Sequence, residues 1–204
     1  MYGGVSVIEP IREKLRQEAE SLEIAKLVLP SWFSEGVDDY SCAIHSLGCT
    51  YFTNLGRDFG YQAVAEYPCP HFGPMAFVGN DVRCDSAWFR TDNFSLVAAV
   101  EFERYEGVSD AGNLSRKVQS LSLAYHRSVT KPSIAILAYW TKMSAALPDH
   151  ESLSQTFRCG FETAAKQKVP GVLDCGLVIY QMVHEQDART RKWKMWKMIE
   201  RGNS

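Results

Sequence analysis

With 204 residues, 46% of them apolar and 12% aromatic, the chain is too rich in core-forming side chains for a disordered or collagen-like sequence. Its 22 Lys and Arg against 24 Asp and Glu leave a net charge of −2, which excludes a uniformly basic nucleic-acid coat while allowing a local basic face. No apolar run approaches the ~18 residues a membrane span needs, and no charged-then-apolar leader opens the sequence, so a cytoplasmic protein without membrane contact is expected.

Six cysteines (Cys42, Cys49, Cys69, Cys84, Cys159, Cys175) are scattered without a C-x-x-C pair, so they read as reduced thiols rather than a zinc ribbon or redox motif. His45, His71, His126, His150 and His184 form no pair with metal-site spacing and read as surface or packing residues. The chain carries no G-x-S-x-G, P-loop or dinucleotide fingerprint, which argues against serine hydrolases, nucleoside triphosphatases and Rossmann dehydrogenases.

In chain order, Ile11, Leu15, Ala19, Leu22, Ala25 and Leu29 recur at helical spacing until Pro30, which predicts one amphipathic helix in an N-terminal helical region over 11–36. A second helix is expected to start at Asp38 and Asp39, whose carboxylates suit an N-cap and first turn, and to end at Gly56. Three β-rich runs follow: Tyr61–Tyr67, Val82–Arg90 and Leu96–Tyr105, the first two separated by a Pro/Gly-rich bend. Helical spacing returns over 113–127, and Ser133–Trp140 reads as a fully covered strand. A helix carrying Leu153, Phe157, Phe161 and Ala164, a strand over Val172–Val183 and a basic, aromatic tail complete the chain.

With no repeat or low-complexity linker in view, these elements predict a single α/β (α+β) domain over 1–204, with a mixed central sheet flanked by helices. Within it a core over 38–140 is followed by a helix, a strand and a basic C-terminal tail over 141–204.

The third strand carries the chemistry. In "LVAAVEFERYEG", period-two alternation sends Glu101 and Glu103 to one face and Val100 and Phe102 to the other. Two acids on one side of a covered strand are costly unless a cation or basic partner compensates. The preceding strand adds Asp85 in "VRCDSAWFR", and consecutive strands are usually neighbours, so Asp85 and Glu101 could meet. Hard oxygen ligands of this kind suit Mg²⁺ or Mn²⁺. The competing reading is that Glu101 and Glu103 are merely paired with Arg83, Arg104 or Lys117. On helix 113–127, Lys117 lies at the border of the stripe formed by Leu114, Val118, Leu121 and Tyr125, whereas Arg116 and Gln119 point away.

From here the chain resembles the PD-(D/E)XK, or restriction-endonuclease-like, superfamily over roughly residues 38–140. The resemblance implies an αβββαβ core with Asp85 in "RCD" as the second-strand acid, Glu101 as the third-strand acid and Glu66 in "AVAEYP" as an extra acid on the first strand. Glu103 stands where the family carries its lysine, and Lys117 is where a lysine relocated to the following helix would fall. The implied activity is Mg²⁺- or Mn²⁺-dependent phosphodiester hydrolysis of DNA. Asp85, Glu101, Glu103 and Lys117 would be the catalytic group, and Asp85, Glu101 and Glu66 the metal ligands. The alternative is a catalytically inactive nuclease-fold protein that binds DNA or a protein partner; a homodimer fits either version.

The tail "RTRKWKMWKMIERG" interleaves Lys192, Lys194 and Lys197 with Trp193 and Trp196. It reads either as a nucleic-acid-binding arm or as a terminal amphipathic helix whose Trp193, Trp196 and Ile199 dock on the domain.

Overall fold

The computed structural model describes residues 8–79 and 81–203. Its helices are α1 (Ile8–Ser21), α2 (Glu23–Val28), α3 (Pro30–Ser34), α4 (Ser41–Asp58), α5 (Ala111–Arg127) and α6 (His150–Cys159). The strands are β1 (Gln62–Pro68), β2 (Arg83–Phe89), β3 (Leu96–Arg104), β4 (Ile134–Lys142), β5 (Gly160–Glu162), β6 (Lys168–Pro170), β7 (Gly176–Gln186) and β8 (Trp193–Asn203). Six strands form one mixed sheet in the order β1-β2-β3-β4-β7-β8, while β5 and β6 make a separate hairpin. The first three strands run antiparallel, β3, β4 and β7 are mutually parallel, and β8 returns antiparallel. The expected mixed sheet flanked by helices is therefore present, with α4, three strands, α5 and β4 in succession.

Helices cover both faces. Against one face, Ile11, Leu15, Ile44, Tyr51 and Leu55 of α1 and α4 pack on Trp88, Val100, Phe102 and Trp140 of the sheet. Against the other, Leu114, Val118 and Leu121 of α5 and Phe157 of α6 pack on Ala99, Leu137, Tyr139 and Ile179. The parallel strands are buried on both sides, which is why β4 is a continuous apolar run rather than an alternating one. On α4, a Cβ on Gly48 would overlap the Phe102 ring and one on Gly56 would reach within 2.6 Å of Trp88, so both glycines let the helix lie close on the sheet. Gly56 thus sits inside α4, which runs on to Asp58, and does not end it.

Three further expectations change. The N-terminal helix breaks at Leu22, which takes a left-handed φ of 55°. The buried Glu18 carboxylate then accepts the Ile24 and Ala25 amides and the Tyr51 hydroxyl, so the start of α2 is capped from the last turn of α1, across the break. Asp39 does not cap α4; the helix starts at Ser41, and Asp39 instead receives the Arg104 guanidinium at 2.7 Å and the Lys142 ammonium at 2.8 Å. The helix expected through Ala164 stops at Cys159, because Gly160 adopts φ 84° and leads into the β5–β6 hairpin.

The tail forms strand β8, not a docked helix. Asp187 folds the preceding turn by accepting the Arg189 and Thr190 amides through Oδ1, and the chain then pairs with β7 over nine registered positions. The exposed edge of β7 offers more hydrogen bonds to a Trp-, Met- and Ile-rich segment than an isolated helix of similar length could keep.

One buried group ties the sheet to α3. The His184 ring on β7 is fully buried, 5.2 Å from Trp32 and 4.9 Å from Trp140, and its Nδ1 lies 2.9 Å from the Met182 carbonyl. Burial disfavours the imidazolium and pushes its pKa from 6.5 down to about 3. The unfolded chain therefore binds this proton at higher pH than the folded one, and stability falls as pH drops below 6.5 toward 3. The expected contribution is a loss of up to about 1.4 kcal/mol per pH unit in that window. Urea unfolding at pH 6.5, 5.5 and 4.5 should show a shallower decline for His184→Leu than for the natural chain; equal slopes would rule out His184 as the source.

Candidate active site

Strands β1, β2 and β3 and helices α4 and α5 converge on an open cleft of about 510 Å³, lined among others by His45, Glu66, Asp85, Glu101, Glu103 and Lys117. The strands' order in the sheet sets this up. β1 and β2 pair so that Glu66 stands opposite Asp85, between the Ala65–Ser86 and Tyr67–Cys84 pairs, while Ser86 pairs with Val100 on β3.

Lys117 holds the centre. It projects from the second turn of α5, and its ammonium donates to Asp85 Oδ2 at 2.8 Å and to Glu101 Oε2 at 2.7 Å. The two carboxylates are almost wholly enclosed, with side chains 6% and 1% exposed. Asp85 Oδ2 also accepts the Phe102 amide at 2.7 Å, which fixes this carboxylate against β3. Burial and the neighbouring Asp85 raise the Glu101 pKa well above the usual carboxylate range, despite the opposing pull of Lys117. For Lys117, burial works against the charge, but the two carboxylates outweigh it and hold the ammonium above its ordinary range. This amine is thus a firmly protonated hydrogen-bond donor at neutral pH.

The other acids occupy distinct places. Glu66 takes a left-handed φ of 54° inside β1, a conformation that costs a non-glycine residue about 1 kcal/mol or more. Its carboxylate lies between Arg83, whose Nε is 2.6 Å from Oε2, and His45, whose Nε2 is 3.3 Å from Oε1. Glu103 lines the same cleft as Glu101, as alternation requires, and its Oε1 accepts the Arg104 amide. Of the pairings expected for the third-strand acids, only that of Glu101 with Lys117 is present. Arg83 goes to Glu66, and Arg104 goes to Asp39 and Glu106.

Two α4 residues that carry no motif face this cluster. His45 Nε2 lies 3.5 Å from Asp85 Oδ1, and Cys49, one helical turn later, places its Sγ 3.5 Å from His45 Nε2. Burial, and then the Asp85 and Glu66 carboxylates, push the Cys49 thiol up to about 12. His45 is thus a cleft residue and not simply a surface or packing one. The i, i+4 spacing of His45 and Cys49 was the available signal, since it puts both on one helix face. Arg116, expected to point away, also lines the cleft, bonded to Asn113.

The tail residues lie elsewhere. β8 is the far edge of the sheet, three strands beyond β3, or about 14 Å at the usual strand spacing. Trp193 is partly buried 5.9 Å from Trp140, and Lys194 pairs with Asp187 at 2.9 Å. Trp196 is 50% exposed with the Lys197 ammonium 4.0 Å over its ring, and Lys192 lies beside Gly36 in a separate groove. These five residues do not join the cleft.

The donor chemistry suits a divalent ion. Asp85, Glu101 and Glu66 supply hard oxygens, and a cationic ammonium already sits between two of these acids, marking the place as one that favours positive charge. Compared with known proteins, the chain matches no family model, and no curated protein or solved structure matches it either.

The ion triad makes a stability prediction. Lys117→Met leaves two enclosed carboxylates facing each other and should cost about 3–5 kcal/mol. Adding Glu101→Gln removes one of the charges and should recover part of that loss, measured as a non-zero coupling in a double-mutant cycle of chemical unfolding. Strict additivity would mean that the contacts carry no energy.

Proposed function

We propose that this protein is a metal-dependent nuclease of the PD-(D/E)XK type that hydrolyses phosphodiesters of DNA. One observation carries the reading: a lysine from the helix after the third strand reaches back to touch an acid on each of two adjacent strands. That contact supports the idea that Lys117 replaces the lysine for which Glu103 stands. Asp85, Glu101 and Glu66 would hold Mg²⁺ or Mn²⁺, which when bound lowers the pKa of a water and withdraws charge from the phosphate.

The protein's own groups have separable tasks. Asp85 and Glu101, held by the Phe102 amide and by Lys117, present preorganised oxygen donors that need no rearrangement. Lys117, protonated at rest, orients the attacking water or a phosphate oxygen by donating hydrogen bonds and offsets the charge that accumulates in the transition state. This argues for a positioning and electrostatic role in place of general-base action. Arg83 and Arg116 at the cleft supply cations for flanking phosphates. The open cleft admits a polymer, unlike a closed small-molecule pocket.

A second reading has its own support: the same ammonium bonds both acids without any metal, as an inactive nuclease-fold protein that binds DNA or a partner would need. No helix among the described residues is long and apolar enough to cross a membrane.

Cleavage of single- and double-stranded DNA with Mg²⁺ or Mn²⁺ discriminates the two. The nuclease reading expects metal-dependent cutting that falls at least about 10²–10³-fold in Asp85→Asn and in Glu101→Gln, with Mn²⁺ binding heat lost in parallel. DNA retention that weakens with salt, with neither cutting nor metal heat, would establish the inactive form.

A further inference from the structure

The geometry points to a second ion site in the same cleft: His45, Cys49, Glu66 and Asp85 form a tetrahedral set for a thiophilic dication of the Zn²⁺ class. One nitrogen, one sulfur and two carboxylate oxygens from these residues lie within 4.8 Å of one another. The individual separations are specific. His45 Nε2 stands 3.3 Å from Glu66 Oε1 and 3.5 Å from Asp85 Oδ1, and Cys49 Sγ stands 3.5 Å from His45 Nε2 and 3.7 Å from Glu66 Oε1. Ligand bonds of about 2.0–2.3 Å at tetrahedral angles require neighbouring ligand atoms about 3.3–3.6 Å apart, so the free side chains already stand near the edges of such a polyhedron.

The acids are arranged to share. Asp85 commits Oδ2 to the Phe102 amide and Lys117 and leaves Oδ1 toward His45. Glu66 commits Oε2 to Arg83 and leaves Oε1 toward His45 and Cys49. Each carboxylate is thus anchored by one oxygen and offers the other. α4 supplies the remaining two donors from one face, one turn apart, and the left-handed backbone at Glu66 acquires a purpose in aiming its carboxylate inward.

Each carboxylate ligand already carries one cation on its other oxygen, Lys117 on Asp85 and Arg83 on Glu66. Loading replaces the thiol proton, which leaves to solvent, so binding strengthens as pH rises. A mixed N, S and O set of this kind prefers Zn²⁺ or Co²⁺ over Mg²⁺, which takes oxygen alone. Where the nuclease reading also holds, an ion here draws on Asp85 and Glu66, two of the ligands for Mg²⁺, and so inhibits cleavage.

Co²⁺ titration of the full chain tests the site without reference to activity. The expected result is intense tetrahedral visible absorption with a near-ultraviolet thiolate-to-cobalt charge-transfer band, displaced by Zn²⁺. Cys49→Ser should abolish the band, His45→Gln should weaken binding by more than about tenfold, and Cys69→Ser should leave the band intact. Should Cys49→Ser fold poorly, Glu66→Gln, at a half-exposed position, should lower Co²⁺ affinity in the same way. Weak octahedral absorption without the charge-transfer band, or a band that survives Cys49→Ser, overturns the inference. A chain that shows the band yet cuts no DNA sustains this site and sinks the nuclease reading. Cleavage in Mg²⁺ with no thiolate band does the reverse.

Discussion

The cost of enclosing like charges governs this molecule's cleft. Asp85 and Glu101 come from adjacent strands and are nearly sealed from water, a position that two carboxylates cannot hold unaided. The Lys117 ammonium makes it tenable, and to do so α5 must lie across the sheet with its second turn over β2 and β3. The apolar stripe of Leu114, Val118 and Leu121 presses the helix onto Ala99 and Leu137, and the lysine at the stripe's border is thereby aimed at the acids. Hydrophobic packing sets the geometry, and the electrostatics exploit it.

The opposite wall depends on close approach. Gly48 and Gly56 let α4 rest against Phe102 and Trp88, and this proximity carries His45 and Cys49 to within 3.3–3.7 Å of groups from β1 and β2. The clamp of Asp39 with Arg104 and Lys142 holds the start of the same helix to the ends of β3 and β4. Burial alone would raise the Asp39 carboxyl, but hydrogen bonds from Lys142 and Arg104 outweigh it and keep it below the usual range. A cleft built between two helices and three strands in this way has little freedom to relax, which suits a site whose donors act by preorganisation.

Much of this was legible from local pattern. Period-two alternation set Glu101 and Glu103 on one side of β3, and a helical wheel put Lys117 at the edge of the buried stripe of α5, because both depend only on residues a few positions apart. The succession from α4 to β4 could be read for the same reason. What escaped were features decided by distant partners. Asp39 leaves its expected capping role for Arg104, 65 residues away. The tail's Trp193, Trp196 and Ile199 recur at helical spacing, and the unpaired edge of β7 drew the segment into a strand instead.

The amino-acid order by itself determined the mixed α/β class, the succession of strands around the acids and the face each acid takes, since backbone periodicity and short-range burial demand them. Only tertiary structure decided that His45 and Cys49 belong to the cleft, that Glu66 turns inward through a left-handed residue, and that the basic tail lies at the far edge of the sheet. Those outcomes depend on which surfaces meet when the chain closes, and a contact across tens of residues leaves no periodic trace in either of the segments that make it.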